Sequence, residues 1–382
     1  MSVTPFTVPA NPEEWDWVRR RVEDYRFFEE PEGHHWEHGA NRAYMKRLRA
    51  HWLTDYDWDA SVARINRFPH VRVEVEPGFS LHAIHLRSSR ADAQPLLIAH
   101  GWPGSVLEFE SIYRRLAEPE DPTAPAFHVV APSLPGYAWS DRPRVPIGPR
   151  AVAGLYDRLM QVLGYDSFLY QGGDWGCVIG GWVGLDSRHV RAIHLNGYGL
   201  RSADMRPETD DDKRWLQRAA HMQATETGYL HLQSTKPQSL GFAMMDSPMG
   251  VAAWFAEKYC GWSDLRKGAD DPPFPMDVLL DTIMIYLSTR SFLTATWIYR
   301  GMVLEGGFSI PEGRRIEVPV GVASFPYDLL AFPPRPMVER GYNVVHWTDM
   351  PRGGHFIGLE EPDLLLADLR TFIRSLLNPS AA

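Results

Sequence analysis

The segment Tyr170-Gln171-Gly172-Gly173-Asp174-Trp175-Gly176 constrains this chain more than any other. An apolar run, Phe168 to Tyr170, enters a glycine-flanked turn, and small residues, Val178-Ile179-Gly180-Gly181, follow at once. A strand, a sharp turn and a helix in that order make an elbow that displays one side chain at the carboxyl edge of a parallel sheet. Serine is the usual occupant of the exposed position, and this chain has aspartate there. A serine needs a neighbouring base before it can attack, whereas a carboxylate is already an anion at neutral pH. Carboxylates suit displacement at saturated carbon and leave an alkyl ester that water must cleave. The expected chemistry is opening of a strained or activated C–O or C–halogen bond. The plainer reading of the same residues is a glycine-rich turn with an aspartate as helix N-cap.

The rest of the chain favours the elbow. Pro95 to His100 reads as a short buried strand that ends in turn residues, running into His100-Gly101-Trp102-Pro103-Gly104-Ser105. A loop in that position, about seventy residues before the elbow, supplies one backbone N–H of an oxyanion hole. The residue after the nucleophile supplies the other. The two donors would be the N–H groups of Trp102 and Trp175. Downstream, Val318 to Ala323 and Val344 to Trp347 read as strands, followed by Asp328 and His355 respectively. The order nucleophile, acid, histidine is that of a hydrolase triad built on this architecture. Asp328 is the expected acid, with Asp349 and Glu305 as alternatives, and His355 is the expected base.

Together, H-G-W-P-G-S, S-L-P-G-Y-A-W-S, Q-G-G-D-W-G, F-P-Y-D and R-G-G-H-F resemble the epoxide hydrolases, most closely the microsomal and juvenile-hormone branch. The likeness spans the chain. Its start, the stretch Trp52 to Phe68, and Gly228 through Pro248 resemble that branch's N-terminal region and lid. The resemblance implies an α/β-hydrolase fold with a mostly parallel central sheet, a helical lid and an N-terminal wrapping segment. It also implies a pair of lid tyrosines that donate to the epoxide oxygen, at Tyr229 in G-Y-L-H and Tyr299 in T-W-I-Y-R. Without it, Tyr198, Tyr259 and Tyr286 would be equal candidates. The acid is often glutamate in this branch, and the shorter Asp328 departs from that pattern.

The expected division is an N-terminal segment over residues 1–90, core over 91–202, lid over 203–311 and core again over 312–382. Helices and then two strands, Val71 to Glu76 and Leu81 to Arg87, are predicted in the first part. Its aromatics either serve a homo-oligomer or clamp the core. The lid's aromatics suit an apolar epoxide and equally suit helix packing.

A formal net charge of −9 with no basic run argues against nucleic acid as a partner. Cys177 and Cys260 provide neither a disulfide framework nor zinc spacing. The cluster His34, His35 and His38 lacks a carboxylate or thiol at ligand spacing, and no metal is expected. The elbow glycines do not make G-x-G-x-x-G, so no dinucleotide cofactor is expected. The start, MSVTPFTVPANPEEW, has no apolar run of membrane-spanning length and no signal-peptide pattern, so the expectation is a cytoplasmic enzyme without a membrane anchor. Two other functions share these residues. A haloalkane dehalogenase uses the same aspartate nucleophile, with an indole such as that of Trp175 on the halide. A hydrolase-fold binding protein would have lost a member of the triad. A serine esterase is disfavoured because no G-x-S-x-G occurs.

Overall fold

Short apolar runs separated by turns and amphipathic helices build one twisted sheet, as an α/β alternation demands. The computed structural model describes residues 1–202, 204–265 and 270–377. Its nine strands are β1 (Val3–Phe6), β2 (His70–Glu76), β3 (Phe79–Leu86), β4 (Gln94–Ala99), β5 (Phe127–Pro132), β6 (Phe168–Gly172), β7 (Val190–Leu195), β8 (Ile316–Ser324) and β9 (Tyr342–Asp349). They lie in the order β1-β2-β3-β5-β4-β6-β7-β8-β9. The first three are antiparallel to their neighbours, and from β5 through β9 every pairing is parallel. The strand order reverses between β4 and β6, so the loops after those two strands open outward at the carboxyl edge, where such sheets place ligands. Strand β6 is buried along its whole length, which explains its continuous apolar run.

The sequence predicts two strands in the N-terminal segment, and the structure has three. Strand β1 pairs with β2 as an edge strand, three of its four residues are exposed, and it includes Pro5. Nothing in such a strand alternates, so it carries no sequence signal.

Among the described residues six helices stand between β7 and β8: Asp210–Glu226, Gly228–Thr235, Pro237–Met244, Pro248–Gly261, Met276–Ser288 and Phe292–Leu304. They cover the carboxyl edge. The N-terminal segment fastens them down. Arg64 reaches Asp281 in the fifth of these helices and Glu110 in the core at once. The Tyr56 hydroxyl donates to the same Asp281 carboxylate (2.9 Å), and His51 Nε2 meets Asp277 at 2.6 Å. Among the N-terminal aromatics, Tyr44, Trp52 and Trp58 are buried, and Trp15, Trp17 and Trp36 are half-buried. Phe28 is an exception and is exposed. Among the described residues no single helix is long and apolar enough to cross a membrane.

Candidate active site

Asp174 sits between β6 and the helix Trp175–Asp186 with φ 48° and ψ −121°, a conformation that costs a non-glycine residue on the order of 1–3 kcal/mol. The surrounding backbone holds it there. Gly176 packs so closely under β4 that a Cβ would stand 2.3 Å from the Ala99 carbonyl oxygen. The strained turn points the carboxylate out of the sheet edge, half-buried in a cavity.

The two oxygens of that carboxylate face different partners. Oδ1 accepts the Trp102 N–H at 2.7 Å, and Oδ2 lies 3.4 Å from His355 Nε2. The Trp102 donor lies in the loop expected to carry it. Trp175 opens its helix, where the first N–H groups have no carbonyl within the helix to bond. The Trp102 loop is held from several sides. Tyr286 donates its hydroxyl to the Gly104 carbonyl at 2.8 Å, and Tyr259 donates to the Pro103 carbonyl at 3.4 Å. Both phenols are therefore spent on backbone and are not free to meet a ligand. His100 accepts the Leu134 N–H at Nε2 (3.3 Å), which leaves Nδ1–H to donate to the Gly101 carbonyl (2.9 Å). Burial depresses the His100 imidazole to about 4, so it stays neutral in this role.

On the other side of Oδ2, His355 Nδ1 meets Asp328 Oδ1 at 2.7 Å. Burial alone would lower the His355 pKa, but the Asp328 charge and the hydrogen-bonding carboxylates of Asp174 and Asp328 outweigh it. The imidazole is held well above its ordinary value. Asp328 is thus the acid that the structure brings to His355. Glu305 is occupied elsewhere, accepting the N–H groups of Gly148 (3.1 Å), Arg150 (2.8 Å) and Ala151 (3.1 Å) at the start of the helix Pro149–Val162. Asp349 accepts the indole N–H of Trp347 at 2.9 Å. Neither alternative faces the histidine.

The histidine loop is itself clamped. The His355 N–H donates to the Trp262 carbonyl at 2.8 Å, and Glu360 accepts the N–H groups of Gly354 (3.0 Å) and Phe356 (2.9 Å). Tyr327 N–H donates to the Gly353 carbonyl at 3.1 Å, which ties the acid loop to the histidine loop.

Tyr229 and Tyr299 come from two different lid helices and meet over the carboxylate, with ring centroids 5.9 Å apart and planes at 83°. Tyr229 stacks on the Trp102 indole (5.0 Å, 8°), and Tyr299 sets its edge against the Trp175 indole (4.7 Å, 85°). Burial and then the Asp174 charge push both phenols above their ordinary pKa, with Tyr229 itself adding to the rise at Tyr299. Both are protonated donors throughout the neutral range. The cavity they share with Asp174 measures about 360 Å³ and is also lined by Trp175, Asp328 and His355.

One buried group was not visible in the sequence. Glu108, in the 3₁₀ turn Val106–Phe109, is 8% exposed beside the triad. Burial, with the carboxylates of Asp174, Glu360 and Asp328, pushes it up to about 8 against the opposing pull of His355. Its neighbours are assembled only by the fold, so no spacing rule could have found it. His34 Nδ1 accepts the His38 N–H and the two rings stack (5.3 Å). Among the described residues no group of His, Cys, Asp or Glu is arranged to hold a metal.

Comparison with known proteins agrees with this architecture. A family model described as "Epoxide hydrolase N terminus" matches residues 3–109, and one described as "alpha/beta hydrolase fold" matches 94–240. "Epoxide hydrolase 1" of Sus scrofa is 32% identical over 403 residues, covering 97% of this chain and 88% of the relative. The solved epoxide hydrolase of Aspergillus niger superposes with a TM-score of 0.86 at 31% identity, over 98% of this chain and 97% of that one. The juvenile hormone epoxide hydrolase of the silkworm Bombyx mori gives a TM-score of 0.88 at 26% identity, over 99% and 96%. Identity at that level over nearly the full length, with the N-terminal segment as well as the sheet and lid in common, places this chain in the epoxide hydrolase family of the α/β-hydrolase fold, in the branch that includes the juvenile-hormone enzymes.

Proposed function

We propose that this chain hydrolyses epoxides to vicinal diols through a covalent ester on Asp174. Oδ2 of Asp174 attacks an epoxide carbon as the carbon–oxygen bond of the ring breaks. The departing alkoxide takes its proton from Tyr229 or Tyr299, since an alkoxide is too basic to leave unassisted. The product of this step is a hydroxyalkyl ester and a tyrosinate.

The same step changes His355. In the free enzyme it is held cationic between two carboxylates. Esterification neutralises Asp174, removes one of the two charges that raised the imidazole, and frees its proton for the tyrosinate. His355 is then a base, oriented by Asp328. It takes a proton from water as that water attacks the ester carbonyl, and the Trp102 N–H, with that of Trp175, stabilises the oxyanion on Oδ1. Collapse expels the diol oxygen, which takes the remaining proton of the attacking water, and returns Asp174 as a carboxylate beside protonated His355.

The observation that carries this reading is the division of the Asp174 carboxylate, with Oδ1 bound by Trp102 and Oδ2 turned to the histidine. A dehalogenase needs no phenol donors, and the buried tyrosine pair over the nucleophile favours ring opening over halide release. A single turnover of styrene oxide in H₂¹⁸O tests the proposal. The first diol should be unlabelled and ¹⁸O should appear in the peptide that holds Asp174. A labelled diol with unlabelled enzyme would mean direct attack by water. Chloride release from a chloroalkane without diol formation would favour the dehalogenase.

A further inference from the structure

The floor of the active-site cavity and its rim differ in chemistry. Tyr229, Tyr299, Trp175 and Phe308 make the reacting end aromatic, and Phe308 stacks on Trp175 at 5.8 Å. The exposed members of the lining are polar, and they include Arg201, Gln223 and His231. None of these three side chains has a hydrogen-bond or ion-pair partner among the described residues.

Arg201 is the residue of most consequence. Among the described residues it is the one Lys or Arg side chain that lines the cavity, and none of their Asp or Glu side chains in the lining other than Asp174 and Asp328 stands there to neutralise it. Those two carboxylates already share the charge of His355. Its backbone is fixed on both sides, since Arg201 N–H donates to the Phe308 carbonyl at 2.7 Å and Ile310 N–H donates to the Arg201 carbonyl at 2.9 Å. The guanidinium also reaches inward electrostatically. Its charge is felt at the hydroxyl of Tyr198, a neighbour in the cavity wall that burial pushes up to about 12. An uncompensated cation on a fixed backbone, at the mouth of a pocket in a chain of net charge −9, is placed to receive an anion.

Resting on the epoxide hydrolase reading, we propose that the preferred substrates are amphipathic epoxides, with an apolar stem for the aromatic floor and a terminal carboxylate that Arg201 binds at the rim. Gln223 and His231, also exposed members of the lining, offer further polar groups. The wholly apolar epoxide suggested by the lid's aromatic content accounts for the floor and leaves the rim unused.

The test compares 10,11-epoxyundecanoate, its methyl ester and styrene oxide on the wild type, Arg201→Ala and Arg201→Lys. Exposed charge pairs are worth only severalfold in binding, and a well-formed guanidinium–carboxylate pair somewhat more. The wild type should therefore favour the free acid over its ester by about fivefold to tenfold in kcat/KM. Arg201→Ala should bring that ratio close to one, mainly through KM, and Arg201→Lys should retain part of it. Added salt should shrink the wild-type ratio, as it would for any solvent-facing pair. Equal wild-type rates on acid and ester would overturn the proposal, as would an Arg201→Ala variant that loses activity equally on all three compounds. If the wild type opens styrene oxide and neither chain compound, the carboxylate site is wrong and the hydrolase reading stands. Silence on all three would remove both.

Discussion

The Trp102 N–H lies 2.7 Å from Oδ1 of Asp174, and Gly101 makes that approach possible. A Cβ on residue 101 would fall 2.0 Å from that oxygen and 2.3 Å from the Asp174 Cβ. No side chain fits there without moving the nucleophile or its donor. Gly101→Ala should lower diol formation by about a hundredfold or more, the usual cost of losing an oxyanion-hole contact. The midpoint of thermal unfolding should move far less than the activity. Retention of more than half the wild-type rate would show that the contact is dispensable.

In the proposed mechanism the tyrosines act together in ring opening and are not required for ester hydrolysis. Tyr229→Phe or Tyr299→Phe alone should slow alkylation by about tenfold to a hundredfold, since the second phenol remains. The double variant should lose about four orders of magnitude, the upper range for proton donation. Stopped-flow measurement of tryptophan emission, with Trp102 and Trp175 beside the reacting carboxylate, would resolve this step. A double variant no worse than either single one would assign the pair to packing.

Several imidazoles, His82 and His100 buried and His85 half-buried, are held neutral, which bears on stability in acid. Burial sets His82 well below its ordinary value, with the charges of His70 and Arg72 adding to the effect, and it takes His85 and His100 to about 4. In the unfolded chain these groups take up protons near pH 6.5, so below that pH the unfolded state binds protons that the folded state refuses. Stability should fall as pH drops from about 6.5 towards 4, by on the order of 2–3 kcal/mol for a fully buried imidazole such as His100. His355 has the opposite sign. Its folded pKa is raised, so its contribution is present in full below about 6.5 and is lost as pH rises through the folded value. Urea midpoints at pH 7.5, 6 and 4.5 would check the balance, and a midpoint that rises on acidification would contradict it.

Asp368 anchors the C-terminal helix Pro362–Leu377 to the sheet. It accepts from His194 and His346 (both 2.9 Å) and from the Thr348 hydroxyl (2.6 Å). Burial opposes its charge, but these partners hold the carboxyl well below its ordinary range. Asp368→Ala would leave the buried His194 and the half-buried His346 without this acceptor and should destabilise the fold by roughly 2–4 kcal/mol. The ratio of alkylation to hydrolysis rates in the folded fraction should not change. A shift in that ratio would tie this network to catalysis.

How far the site could be read from sequence follows from what each residue depends on. Asp174, Trp102 and His355 are set by local turns next to strands, and local turns leave a mark in the glycines and prolines around them. The acid depends on more than position in the chain. Asp328, Asp349 and Glu305 all lie at or near the ends of elements, and only the packing of the loop after β8 against the histidine loop separates them. Only family likeness singles out Tyr229 and Tyr299, because helix periodicity gives Tyr259 and Tyr286 the same standing. The fold distinguishes them by turning the latter two onto backbone carbonyls. Strand β1, Glu108 and the polar rim at Arg201 left no trace in the sequence. An exposed edge strand does not alternate, and the environment of a buried acid or a cavity rim is made by residues far away in the chain.

The most direct test of the ester on Asp174 is the intact mass of His355→Gln after exposure to styrene oxide. In the proposed mechanism carbon–oxygen bond formation on Asp174 does not need the imidazole and ester hydrolysis does, so the variant should gain the mass of one whole epoxide. The adduct should map to the peptide carrying Asp174 and persist while the wild type shows none at steady state. An unmodified variant under conditions where the wild type forms diol would contradict the covalent mechanism.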